Sequence, residues 1–125
     1  MRPCPETPNC VHTGLGHPAG TAPIHLVEDR APEELMREVA RVVAELPRTV
    51  VVSRSGDYVH AESTSRLFRF VDDLELRLTP DFELVVRSAS RVGRSDLGVN
   101  GRRVESLREG LRAARLLRSG PDRTP

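Results

Sequence analysis

The sequence predicts an α+β fold: a two-layer sandwich in which an antiparallel sheet of about four strands has one helix before it and one after it, preceded by an extended Pro/Cys-containing N-terminal arm. Three observations predict it. Apolar residues recur at helical spacing over 32–46. They alternate strictly with charged ones over 73–78 and again over 82–87, which marks strands with one buried and one polar face. A second helical stripe begins at Val104. Two amphipathic helices need a common apolar surface, and a one-faced sheet supplies it.

The elements follow in order. Residues 1–31 hold half of the ten prolines and both cysteines, and read as an extended, irregular arm with no helix or central strand. Pro32 suits a first helical turn, and Glu33 and Glu34 follow where the helix dipole favours acids. Leu35, Val39, Val43 and Leu46 form the stripe, and Pro47 stops it. Thr49 to Ser53 and Tyr58 to Ser63 read as a hairpin around Ser55-Gly56-Asp57. Over Asp73 to Leu78, Leu74, Leu76 and Leu78 share one face while Asp73, Glu75 and Arg77 share the other. Thr79-Pro80-Asp81 turns the chain into Phe82 to Arg87. Ser88 to Val99 reads as a small-residue loop. Asn100 suits the N-cap of the last helix, whose stripe is Val104, Leu107, Leu111, Ala114 and Leu117 and whose stop is Gly120. Gly110 weakens this helix by about 1 kcal/mol relative to Ala. A continuous meander is the simplest strand order. The expected organisation is an arm over 1–31, a single α+β domain over 32–118 and a frayed tail over 119–125.

Composition narrows the function. With 38% hydrophobic and 30% charged residues in 125, the chain has enough apolar matter for a core. All nineteen basic residues are Arg, which excludes Schiff-base, P-loop-lysine and lysine general-base chemistry. The net charge of +1 conceals polarity: residues 1–62 carry six Arg and nine acids, residues 63–125 thirteen Arg and nine acids. Aromatic residues are too sparse for base stacking, so nucleic acid is disfavoured as a partner. No apolar run approaches the ~20 residues of a membrane span, and the first ten residues do not read as a secretory signal. A cytoplasmic location without a membrane span is the expectation.

Three groups of residues have chemistry to offer. Cys4 and Cys10, with His12 and His17 after them, are zinc donor types, but five residues between the thiols is outside the usual spacing. The favoured reading is two reduced cysteines in an arm packed on the domain; a Cys4–Cys10 disulfide is expected only in an oxidising compartment. The densest group joins Arg66, Arg69, Asp72 and Asp73 to Arg87, Ser88, Ser90, Arg91, Ser95, Asp96, Asn100, Arg102 and Arg103. Arginine forks, hydroxyls and a helix N-terminus suit an anion such as phosphate or carboxylate, although Arg–Asp pairs of this kind also staple loops to sheets. The third group is catalytic: Asp72 or Asp73 with His60 or a Ser such as Ser63. Adjacent strand residues point to opposite faces, so Asp72 and Asp73 do not share one site, and no nucleophile-elbow glycines flank a Ser.

The chain resembles the domain of unknown function family 1499 (DUF1499). The resemblance rests on Cys4-Pro5-x-x-Pro8-Asn9-Cys10-Val11, on Phe68-Arg69-Phe70-Val71-Asp72-Asp73 with Glu75, on Arg87-Ser88-Ala89-Ser90-Arg91-Val92-Gly93, and on Ser95-Asp96-Leu97-Gly98-Val99-Asn100 with Arg102. It departs from the family pattern at Arg94, often aromatic, and at His12-Thr13, where Ser is usual. The resemblance names no reaction, and implies that the Arg/Ser/Asp group is the family's defining surface. The resulting expectation is a non-enzymatic binding module for an anionic small molecule or acidic protein partner, with no cofactor predicted. A hydrolase and a purely structural or interaction protein are the alternatives.

Overall fold

The structure is a computed structural model and describes residues 1–2, 4, 10–14, 20–66, 70–91 and 98–119. Its elements in chain order are β1 (Cys10–Thr13), β2 (Gly20–Thr21), β3 (Ile24–His25), α1 (Pro32–Ala44), β4 (Thr49–Ser55), β5 (Tyr58–Thr64), β6 (Val71–Leu78), β7 (Glu83–Ser90) and α2 (Val99–Ala113). The sheet runs β2-β1-β7-β6-β5-β4, with β3 also paired to β7. The meander from β4 to β7 is antiparallel throughout, as the alternation predicts.

The sheet is larger than four strands because the arm adds to it. Cys10, Val11 and His12 pair antiparallel with Ala89, Ser88 and Arg87, which makes β7 an interior strand. The expected loop from Ser88 is therefore strand as far as Ser90. Its small residues are pinned between β1 and β6, where Leu74, Asp73 and Asp72 are their partners. Residues after α2 close onto the arm as well: the Val27 amide donates to the Leu116 carbonyl at 2.9 Å and the Arg118 amide to that of His25 at 2.8 Å.

Both helices cover one face. Leu35, Met36, Val39 and Val43 of α1 and Val104, Leu107 and Leu111 of α2 join Val59, Ala61, Leu74, Leu76, Leu84 and Val86 in one buried core. α1 starts at Pro32 after an extended Ala31, with Glu33 and Glu34 in its first turn. It ends two residues earlier than its apolar stripe predicts: the Glu45 and Leu46 amides turn to the Val42 and Val43 carbonyls three residues back, at 3.1 and 3.0 Å, ahead of Pro47.

α2 differs at both ends. Gly98, at φ 81°, is its N-cap, and the predicted cap Asn100 lies inside the helix, fully buried against the sheet. At the other end Arg115 turns left-handed at φ 61°, well before Gly120, which lies outside the described residues. Leu116, folded back so that its amide reaches the Leu111 carbonyl at 3.0 Å, is buried in place of the exposed Ala114.

Gly110 has a packing reason. A Cβ there would come within 2.8 Å of Val42 Cγ1 on α1, so the two helices meet where a side chain is missing. The overlap costs ~1–3 kcal/mol, more than the ~1 kcal/mol of helix propensity gained. Gly110→Ala is expected to lower the melting temperature by circular dichroism, and to raise it in a Val42→Ala background.

Candidate functional site

Strand β6 sends its two neighbouring acids to opposite faces of the sheet, and each builds a different polar cluster. Asp72 points under α2 and is 4% exposed. Arg103 Nη1 donates to Asp72 Oδ2 at 2.8 Å, to Asn100 Oδ1 at 2.8 Å and to Ser88 Oγ at 3.2 Å. Ser88 Oγ donates to Asn100 Oδ1 at 2.6 Å, and Asn100 Nδ2 to Ser90 Oγ at 3.2 Å. Helix phase selects the arginine: Arg103 is three residues after Asn100 and shares its sheet-facing side, whereas Arg102 is exposed beside Gly98. Nearby, the Thr49 and Ser63 hydroxyls share a hydrogen bond of 2.6 Å. None of its buried polar side-chain atoms lacks a partner, and the Arg103 side chain is 12% exposed.

Asp73 points away from the helices, onto the opposite face of the sheet, which neither helix covers. Arg91 grips it with two bonds, Nε to Oδ2 at 2.8 Å and Nη2 to Oδ1 at 2.8 Å, and Nη2 also reaches Glu62 Oε2 at 2.7 Å. His60 Nε2 lies 2.8 Å from Asp73 Oδ1. Next to this group Tyr58 donates to Glu75 Oε2 at 2.6 Å, and Arg87 Nη1 stands 3.7 Å from Glu75. The Arg87 side chain is mostly buried, and its Nε has no acceptor among the described residues. Arg77 stacks over the Tyr58 ring at 5.1 Å. The strand period dictates this gathering: Tyr58, His60 and Glu62 alternate outward on β5, and Asp73 and Glu75 are the register partners of Glu62 and His60.

The charges shape each other. The Arg91 guanidinium holds the Asp73 carboxyl below the usual carboxylate range, with His60 helping and partial burial opposing. Burial, then the bond to Glu75, pushes the Tyr58 hydroxyl up to about 12, so it stays a donor at neutral pH.

The arm borders the same face. Cys4 and Cys10 are joined by a disulfide with Cα atoms 5.6 Å apart, and both pack on Ala89. This corrects the reduced-thiol expectation: β1 pairing fixes Cys10 beside β7, and the arm brings Cys4 back over it. It also removes the thiolates that zinc binding by Cys4, Cys10 and His12 would need. His12 is buried opposite Arg87, and His17 lies outside the described residues.

The predicted anion group is therefore divided. Asp72, Ser88, Ser90 and Asn100 belong to the helix side; Asp73, Arg87 and Arg91 belong to the opposite face; Arg66 is exposed and Arg102 stands apart. Arg69, Ser95 and Asp96 lie outside the described residues. The imagined Ser63–His60–Asp72 triad is not assembled, because Ser63 and Asp72 face the helices while His60 faces outward. Glu62 and Tyr58 are the participants that the predicted groups do not include, and strand alternation would have found both.

A family model described as protein of unknown function (DUF1499) matches residues 1–111. The chain belongs to the DUF1499 family. The match spans the arm, the sheet, both polar clusters and α2 as far as its last buried stripe residue, Leu111. No curated protein matches this DUF1499 chain. No helix among its described residues is long and apolar enough to cross a membrane.

The two faces make opposite demands. Removing Asp72 leaves Arg103 as an uncompensated buried charge, so Asp72→Asn is expected to cost about 3 kcal/mol and lower the melting temperature by roughly 10 °C. Asp73→Asn is expected to change it far less, because Arg91 is half exposed and solvated. Asp73 further predicts a pH dependence. Its folded pKa is depressed, so its contribution to stability is present above the unfolded value of about 3.9 and is lost as pH falls through the folded one. NMR titration of the Asp73 carboxyl should give a midpoint below that value in wild type and an upward move in Arg91→Ala. Identical midpoints in the two chains would contradict the assigned cause.

Proposed function

We infer that this DUF1499 chain is a non-enzymatic binding module whose ligand face is the side of the sheet away from the helices, with Arg91 as the anchor for an anionic ligand or the acidic group of a partner. The observation that carries this reading is the way Arg91 is held. Its Nε and Nη2 are fixed by Asp73 and Glu62, while its Nη1 donates to no acceptor among the described residues and its side chain is 49% exposed. A guanidinium locked along one edge and open along the other is preorganised for a carboxylate or phosphate oxygen. Carboxylates outnumber the guanidinium here, which favours a singly charged group over a polyphosphate. Val50, 64% exposed and opposite Glu62, adds apolar contact area beside the anchor.

The helix-side cluster takes no part in this reading, since Arg103 is paired there with Asp72, which is 4% exposed beneath α2. The hydrolase alternative retains one element, the contact of His60 with Asp73; its Ser63 and Asp72 are on the other face. The buried Cys4–Cys10 bond favours an oxidising compartment over the cytoplasm.

The test is an NMR titration of the full chain with inorganic phosphate and, separately, with a glutamate-rich peptide. Wild type should bind one of them saturably, with shifts centred on Arg91, Asp73 and Glu62. Arg91→Ala should weaken binding by about tenfold or more, a loss of ~1.4 kcal/mol or greater in the complex. Arg37→Ala, on the outer side of α1, should leave it unchanged. Binding indifferent to Arg91→Ala, or no saturation by either probe, contradicts the reading.

A further inference from the structure

The face away from the helices carries a second chemistry that does not depend on the anion reading. His60 and Glu62 are two residues apart on β5 and project the same way, and Asp73 on β6 is the direct register partner of Glu62. One imidazole nitrogen and two carboxylate oxygens converge there, all within 4.8 Å of one another. We propose that His60, Glu62 and Asp73 form a binding site for a divalent transition-metal ion of the zinc class, with Arg91 as the internal cation that the ion displaces.

Four features support the assignment. The donor set mixes imidazole and carboxylate, which suits zinc, iron(II) or manganese(II) better than the all-oxygen shells of calcium and magnesium. The spacing is close to what such an ion needs: donors at ~2.0–2.1 Å from a tetrahedral zinc stand about 3.3 Å apart, within reach by side-chain rotation on a fixed sheet. The place demands a positive charge, because Glu62 and Asp73 face each other across two strands and like charges so placed repel. A cation already answers that demand: the Arg91 guanidinium bridges both carboxylates, with Nη2 at 2.7 Å from Glu62 and 2.8 Å from Asp73. The donors are also reachable, with His60 and Asp73 about one-quarter exposed and neither helix over them.

Displacement has a chemical basis, because Arg91 is a tethered ligand at a strand end. It competes for the same oxygens and is half exposed, so leaving returns its charge to water. Three protein ligands would leave a further coordination position for water or a small ligand. An ordinary cross-strand ion-pair network would have no such affinity, and this difference is measurable.

The experiment is isothermal titration of zinc chloride into the full chain in a non-coordinating buffer without phosphate, at pH 7, for wild type, Arg91→Ala, His60→Ala and His25→Ala. Wild type should bind one equivalent. Arg91→Ala should bind about tenfold tighter, and His60→Ala about tenfold weaker or worse, the range typical for loss of groups that hold a metal site. His25→Ala, remote on β3, should match wild type. Stoichiometric binding unaffected by His60→Ala overturns the proposal, as does an absence of binding in both wild type and Arg91→Ala. Unchanged affinity in Arg91→Ala overturns it too, since the guanidinium would then not compete. If a variant fails to fold, manganese(II) broadening of wild-type signals decides: loss centred on His60, Glu62 and Asp73 supports the site, and loss elsewhere refutes it. Phosphate is left out, so failure of the anion reading and failure of the metal site give separate results.

Discussion

The ion pair between Asp72 and Arg103 fixes how the last helix meets the sheet. It lies at the edge of the core, 2.8 Å long and almost wholly removed from water, with Ser88 and Asn100 accepting further bonds from the same Arg103 nitrogen. Charges in such a place are tolerated only when paired and hydrogen-bonded, so the strand, the helix start and the serines must all be correctly placed at once. The left-handed Gly98 then has a purpose: it starts α2 one residue before Asn100, which turns Asn100 and Arg103 downward together. Asp73, one residue along β6, is pointed outward by the same strand geometry. The exposed cluster thus inherits its position from the buried one.

A row across the sheet joins the parts of the face away from the helices. Val50, Glu62, Asp73, Ala89 and Cys10 are successive register partners from β4 to β1. The edge valine, the acidic pair held by Arg91 and the disulfide are consequently neighbours on one surface. Ala89 is small where β6 and β1 flank it, and Cys4 and Cys10 cover it. The arm works as a covalent brace at one end of the face on which Asp73, His60 and Arg91 are displayed.

Much of this was legible in the residues. Strict alternation over Asp73 to Leu78 assigned β6 and its faces, and it correctly separated Asp72 from Asp73. The helical stripe from Leu35 to Val43 located α1. What was not legible depends on distant pairing. β1, β2 and β3 are two to four residues long and sit among prolines and glycines, so no local periodicity marks them; β7 and β1 supply their hydrogen-bond partners. Ser88, Ala89 and Ser90 have low strand propensity and read as a loop, yet two flanking strands hold them extended. Arg102 and Arg103 both stand in the predicted group, and one residue of helix register, set by Gly98 as the cap, decides which of them reaches Asp72. The Cys4–Cys10 bond needed the fold to bring the arm back on itself.

The central claim is that one strand divides its acids between a structural contact and a displayed one. A pair of double-mutant cycles by denaturant unfolding tests it most directly, one on Asp72 with Arg103 and one on Asp73 with Arg91. The account predicts a coupling of about 2 kcal/mol or more for the buried pair and a distinctly smaller one, further reduced by salt, for the displayed pair. Equal couplings, or the larger one at Asp73 and Arg91, would contradict it.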